Sequence, residues 1–238
     1  MNLSESWRRF AFRRKERLVT TWKFRILLVM CGSLLVSATR GSWIPATAQS
    51  LICREDIRPS DLILVDNSDA DYLAFEHAAN LRKSGMAPRV AVPTQEDPHN
   101  PDAANSMFAD IAGVMARVAW LGDFDTIPVP EQEPITLNVA YRVKDYVTRR
   151  QIRSMIISVP AFRSRRTMLI YEAVMRDAGV SVRCAPIFGR TTTATWTQSW
   201  HSIEDVGEQF MKLQYYRFDV LPFLSHHQRP VSTANGAQ

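Results

Sequence analysis

From residue 62 onward, short apolar runs alternate with longer stretches in which apolar side chains recur every three or four positions. Leu62-Ile63-Leu64-Val65 is a continuous apolar run ending at Asp66, as a strand covered on both faces would read. Residues 69–84 follow with Ala74, Ala78 and Leu81 on one helical face and Gly85 as the C-terminal stop. Residues 89–92 predict a second strand, and the polar, proline-bearing residues 94–102 a loop. Residues 103–120 predict a helix with Phe108, Ile111 and Met115 inward. A third strand at 126–129 leads through Pro130-Glu131-Gln132-Glu133-Pro134 to a helix from Thr136 to about residue 149, lined by Val139, Val143 and Val147. Met155 to Val159 predicts a fourth strand, and Pro160 opens a helix that Gly179 ends. Residues 180–187 give a fifth strand. After a threonine-rich loop, residues 203–217 predict a helix packing Val206, Phe210 and Leu213. Alternation of this kind predicts an α/β domain, a Rossmann-like parallel sheet of about five strands with helices on both faces.

Charge changes the picture at the N-terminus. Residues 1–25 carry eight Lys and Arg against Glu5 and Glu16, whereas the rest of the chain is near neutral. The formal net charge of +5 thus belongs to an arm, not to the domain. No zinc-finger spacing or aromatic-plus-basic repeat accompanies it, which argues against nucleic acid as a partner. An apolar run from Ile26 to Ala38 follows the arm and lengthens to about 20 residues from Trp22, a membrane span if Arg25 and Arg40 snorkel. Basic residues before such a segment are held in the cytoplasm, so the following domain is expected to be exported. The organisation read here is a basic cytoplasmic arm (1–21), one transmembrane anchor (22–46), a domain (55–224) and a disordered tail (225–238). The expected location is a bacterial inner membrane, with the C-terminal domain periplasmic. A cleaved signal peptide is the alternative, with Ala46-Thr47-Ala48 as its small-residue site; the long arm, Trp43 and Pro45 speak against it. Lipidation at Cys31 is disfavoured by the large Met30 before it.

Candidate chemistry concentrates where the strands end, because open parallel sheets bind ligands beyond their carboxyl edge. That edge collects Asp66 and Asn67, Gln95 to His99, Glu131 and Glu133, Arg163, Arg165 and Arg166, and Arg190 with the threonines after it. Three arginines in the first turn of one helix oppose the positive end of its dipole; an anion held there would offset them, the alternative being that they are solvated or paired with nearby carboxylates. Arg166 shares a face with Leu169, Ile170 and Ala173, which directs it along the core side. No glycine-rich nucleotide turn follows the first strand. Asp69-Ala70-Asp71 is read as a helix cap rather than a metal-binding Asp-x-Asp. The five histidines have no ligand spacing, so no metal is expected, and no cofactor is implied. Ser158 reads as a strand residue. Trp196, Trp200, Tyr215 and Tyr216 read, for most of them, as core packing and helix docking, the alternatives being cover for a ligand or contact with the bilayer. Cys53 and Cys184 are far apart, and nothing in the spacing pairs them, although an oxidising compartment permits the bond.

The order of parts resembles the bacterial envelope family of YdcF, SanA and ElyC, a domain of unknown function. The resemblance is carried by residues 58–65 leading into the first strand, by Thr136-Leu137-Asn138-Val139-Ala140, by Ser158-Val159-Pro160-Ala161-Phe162-Arg163-Ser164-Arg165, and by Trp196 or Trp200 with Glu208. Thr136 and Arg165 match the family pattern. Phe162 stands where the family has histidine, Asn138 and Val139 where it has Glu-Asn, and Asp66 and Asn67 where it has glycines. The resemblance implies a role in envelope or surface-polysaccharide biogenesis, adds Thr136 to the residues of the sheet edge and singles out Arg165 among them. The ligand-binding residues read here are Asp66, Asn67, Glu131, Thr136, Arg163, Arg165 and Arg166, and the arginines point to an anionic, phosphorylated or lipid-linked envelope precursor. Loss of the imidazole and carboxylate favours a non-catalytic relative; the alternative is an active transferase or hydrolase on a phosphorylated precursor.

Overall fold

The computed structural model describes residues 21–67, 71–96 and 107–224. Most of the basic arm, the tail beyond residue 224, and Ser68, Asp69, Asp97 and His99 lie outside the described residues. The chain divides into two compact units, Met1–Trp43 and Ile44–Gln238.

In the first unit, α1 (Trp22–Ala38) buries none of its residues. The continuous helix expected over 22–46 is instead broken at Thr39, and α2 (Arg40–Ser50) starts afresh. Thr39 Oγ1 donates to Leu35 O at 2.7 Å, and Trp43 Nε1 donates to Val36 O at 3.1 Å, so local side chains take the carbonyls that the break releases. Among the described residues no single helix is long and apolar enough to cross a membrane; α1 and α2 reach that length only as a broken pair.

The second unit starts eleven residues earlier than the expected boundary at 55. Ala48, Leu51 and Ile52 are buried in its interior. Trp196 Nε1 donates to Ile44 O at 2.9 Å. Cys53 N donates to Ser164 Oγ at 2.9 Å, and Cys53 is disulfide-bonded to Cys184.

The sheet contains β1 (Leu62–Val65), β2 (Arg89–Gln95), β3 (Asp125–Val129), β4 (Ser154–Pro160) and β5 (Ser181–Ile187). All pairings are parallel, in the order β3-β2-β1-β4-β5. Strand periodicity sorts the core into two sides. Leu62, Leu64, Met155, Ile157 and Val159 face α5 (Ile135–Arg149) and α6 (Ala161–Met175). Ile63, Val65, Val90, Val92 and Ile156 face α3 (Tyr72–Lys83) and α4 (Met107–Val118). Asp71 caps α3, its carboxylate accepting Leu73 N–H at 3.0 Å, and Gly85 (φ 75) and Gly179 (φ 66) supply the left-handed turns that end α3 and the 3-10 extension of α6.

A third cluster joins the lead-in Ala48, Leu51 and Ile52 to Ala161, Phe162 and Trp196 and to Val206 and Leu213 of α7 (Trp200–Tyr215). The expected inward face of α7 is corrected in one place. Phe210 is 40% exposed, and Gln209 takes the buried position between Val206 and Leu213.

Candidate functional site

Strand order reverses between β1 and β4, and their carboxyl ends bound the crevice that such a reversal opens. Asp66 N donates to Ser158 O at 2.9 Å, extending the β1–β4 ladder one residue past the strand. Asn67 Nδ2 donates to Pro93 O at 3.3 Å, while its enclosed Oδ1 has no donor among the described residues. On the other bank, β4 passes directly into α6 at Pro160, and no side chain caps that helix. Its first N–H groups have no intrahelical acceptor, which makes the turn a site for negative charge.

The three arginines of this turn take different positions. Arg165 is exposed; its backbone N–H is taken by Leu51 O at 2.9 Å. Arg163 is half-buried. Arg166, five residues into the helix, is 7% exposed. Its guanidinium carbon lies 5.5 Å from the Tyr216 ring centroid. Its Nε has no hydrogen-bond acceptor among the described residues. Burial pulls Arg166 below the ordinary arginine value; Tyr216 opposes this, Arg163 adds to it, and Asp66 and Glu208 oppose it further. A buried cation whose described contact is an aromatic face is a poor resting arrangement, since desolvation of a charge is repaid only by a close counter-charge and full hydrogen bonding.

Two hollows lie along the edge. One, of ≈ 130 Å³, is lined by Asp66, Asn67 and Glu131, with Thr94, Gln95, Val139 and Tyr171. The Tyr171 hydroxyl is held well above the usual phenol range, by burial first and the Asp66 carboxylate second, so it remains a proton donor. The other, of ≈ 220 Å³, lies at the N-terminus of α6 and includes Arg163, Phe162, Arg190, Asp205 and Gln209. Thus Asp66, Asn67 and Glu131 come together, Arg163 lies at the neighbouring hollow, and Thr136, Arg165 and Arg166 line neither of the two.

Several other candidates have structural work. Ser158 is fully buried, and its hydroxyl donates to Ala74 O at 3.1 Å, tying β4 to α3. Asn138 Nδ2 donates to Gln132 O at 2.8 Å, and Glu133 Oε2 accepts Ile135 N–H at 3.2 Å, so both brace the start of α5. Among the described residues no three His, Cys, Asp or Glu side chains cluster as a metal ion requires. The sequence reading overlooked Gln209 and Tyr171. Gln209 was signalled by helical spacing, because the buried series Val206, Leu213, Tyr216 and Val220 passes through position 209.

Fold and edge together define a doubly wound α/β protein with a hollow lined by Arg163 and Arg190 at the carboxyl edge of its sheet. Comparison of the chain with models of known protein families finds no match, and comparison with curated proteins finds no relative.

Proposed function

We propose that this chain is a membrane-anchored, exported protein, similar to the YdcF, SanA and ElyC family, whose domain binds a phosphorylated envelope precursor without transforming it. The observation that carries the reading is Arg166: an arginine 7% exposed, whose Nε has no acceptor among the described residues, in the opening turns of an uncapped helix. An anion in the crevice supplies the counter-charge that Tyr216 does not.

Two further observations support the setting. The Cys53–Cys184 bond suits an oxidising compartment, as expected beyond the cytoplasmic membrane. Burial of Ala48, Leu51 and Ile52, with Ile44 O bonded to Trp196, argues that the lead-in stays attached, since cleavage after Ala48 would strip part of the third cluster. The apolar residues of α1 then remain as the anchor, with the break at Thr39 near its outer end.

Isothermal titration of the detergent-solubilised full chain with inorganic phosphate tests the reading. Loss of two charge-assisted hydrogen bonds in R163Q/R166Q is expected to weaken binding by about two to four orders of magnitude. Wild-type protein that binds no phosphate, or a double variant that binds it unchanged, would refute the site. A catalytic reading draws on Asp66 and Glu131 sharing the adjacent hollow. It requires phosphoester turnover that Asp66→Asn abolishes while leaving phosphate affinity intact.

A further inference from the structure

The hollow at the start of α6 has a lining that a bare anion does not use up. Arg163 and Arg190 bring positive charge to it, while Asp71 and Asp205 bring negative charge to the same space. Gln209 lines it as well. This side chain is 5% exposed, its Nε2 reaches Asp205 Oδ1 only at 3.5 Å, and its Oε1 receives no donor among the described residues. Buried amide oxygens are nearly always satisfied, and an exception beside an open cavity asks for a donor from outside the chain. Position 209 also falls on the buried stripe of α7, between Val206 and Leu213, where packing alone would place an apolar residue. The neighbouring Phe210 is turned outward. Departures from local pattern of this kind collect at functional sites.

Each simple ligand leaves part of this lining unmatched. Inorganic phosphate engages the arginines and the uncapped turn, but offers little to Gln209 Oε1 and the Asp205 carboxylate. A cation matches the carboxylates and is repelled by the arginines. Hydroxyl groups donate to both kinds of acceptor without adding charge.

We propose that this hollow binds a polyol or sugar phosphate. Its phosphoryl oxygens accept from Arg163, Arg190 and the first-turn N–H groups of α6, and its hydroxyls donate to Gln209 Oε1 and Asp205. The inference rests on the anion-binding reading above and narrows its ligand. A soluble phosphate and a lipid headgroup share this chemistry, and the experiment separates them.

The full chain, in a detergent without sugar headgroups, is titrated with inorganic phosphate, sn-glycerol 3-phosphate and phosphoethanolamine. Glycerol 3-phosphate is expected to bind about tenfold more tightly than inorganic phosphate, and phosphoethanolamine no more tightly than inorganic phosphate. Gln209→Leu, which continues the apolar stripe, is expected to cut the glycerol 3-phosphate advantage to about twofold or less and leave inorganic phosphate unchanged. Arg190→Gln, at an exposed position that should not disturb folding, is expected to weaken both probes by about tenfold. Displacement of glycerol 3-phosphate by phosphatidylglycerol nanodiscs, but not phosphatidylcholine ones, supports a lipid headgroup; failure of both to displace it supports a soluble ligand. Equal affinity for glycerol 3-phosphate and inorganic phosphate, or a preference for phosphoethanolamine, overturns this inference and leaves the anion site standing. Absence of binding by every phosphate probe overturns both.

Discussion

Replacing Arg166 by methionine should make the ligand-free protein more stable, the reverse of what deleting a buried side chain usually does. Arg166 is 7% exposed as a residue, and the described groups that face its guanidinium are the Tyr216 ring at 5.5 Å and, at longer range, Asp66, Glu208 and the like-charged Arg163. Effective dehydration of an ion costs several kcal/mol, and a desolvated cation–π contact returns about 2 kcal/mol. Methionine keeps the aliphatic stem that packs along α6 and removes the charge, and its flexibility suits an irregular space. Exchanges of buried charged groups for apolar ones of similar volume are typically neutral or stabilising by about 1–4 kcal/mol. Taking about 1–2 kcal/mol here, the midpoint of thermal unfolding should rise by about 2–8 °C for a unit of this size. Phosphate should reverse the ranking. At a free concentration a hundred times the dissociation constant, wild-type protein gains about 2.7 kcal/mol and the variant almost nothing. The assay is thermal unfolding of both proteins in chloride and in phosphate at matched ionic strength, followed by far-ultraviolet circular dichroism. A variant that is clearly less stable in chloride, yet as responsive to phosphate as wild type, would show that Arg166 is a structural residue and that no anion is needed beside it.

Reduction of Cys53–Cys184, which closes a loop of 131 residues, should lower stability by about 2–5 kcal/mol in urea titrations with and without a phosphine reductant. Alkylation of protein made in its native compartment should label Cys31 alone, and labelling of all three cysteines would refute the export reading. His77 is held below its ordinary value of 6.5 by burial, with Glu55 opposing, so protonation favours the unfolded chain. Stability should be full above pH 6.5 and decline as pH falls below it, and His77→Leu should flatten that decline in denaturant titrations between pH 5 and about 7.5. A reporter fused after Gln238 should be active only on the exported side, and a mature N-terminus near Gln49 would remove the anchor from the proposal.

The sheet was legible because a parallel strand buried on both faces leaves a short continuous apolar run. Leu62–Val65 and the core of Ser154–Pro160 are of this kind, and each lies within a residue or two of its predicted place. Helix ends were legible where a glycine has to turn left-handed, as at Gly85 and Gly179. What the chain hid is long-range. Cys53 and Cys184 are brought to a Cα separation of 6.5 Å only because the lead-in runs beside the edge strand β5, where Asp56 N donates to Cys184 O at 3.0 Å, a contact with no local signature. Burial of Ala48, Leu51 and Ile52 was concealed in the same way, since their partners Trp196, Val206 and Leu213 lie some 150 residues on.

The site divides along the same line. Arg166 was placed on the core face by spacing alone, since a residue three, four and seven positions before Leu169, Ile170 and Ala173 shares their stripe, and it is buried. Arg165 was grouped with it by adjacency in sequence, and adjacency on a helix turns a side chain by about 100 degrees, which is why it stands exposed. The same rule separates Gln209 from Phe210, so that a polar side chain is inside and an aromatic one is out. Both departures, a charged residue and an amide on faces meant for packing, come from helices that meet at the end of β4. One buried group with an unsatisfied polar atom is a cost that a marginally stable domain absorbs. At the hollow itself Arg163 and Arg190 offer hydrogen bonds and Gln209 lacks one, and a single ligand bearing both an anionic group and hydroxyls engages them together. That complementarity is the strongest argument that the edge is a binding site rather than a defect in the core.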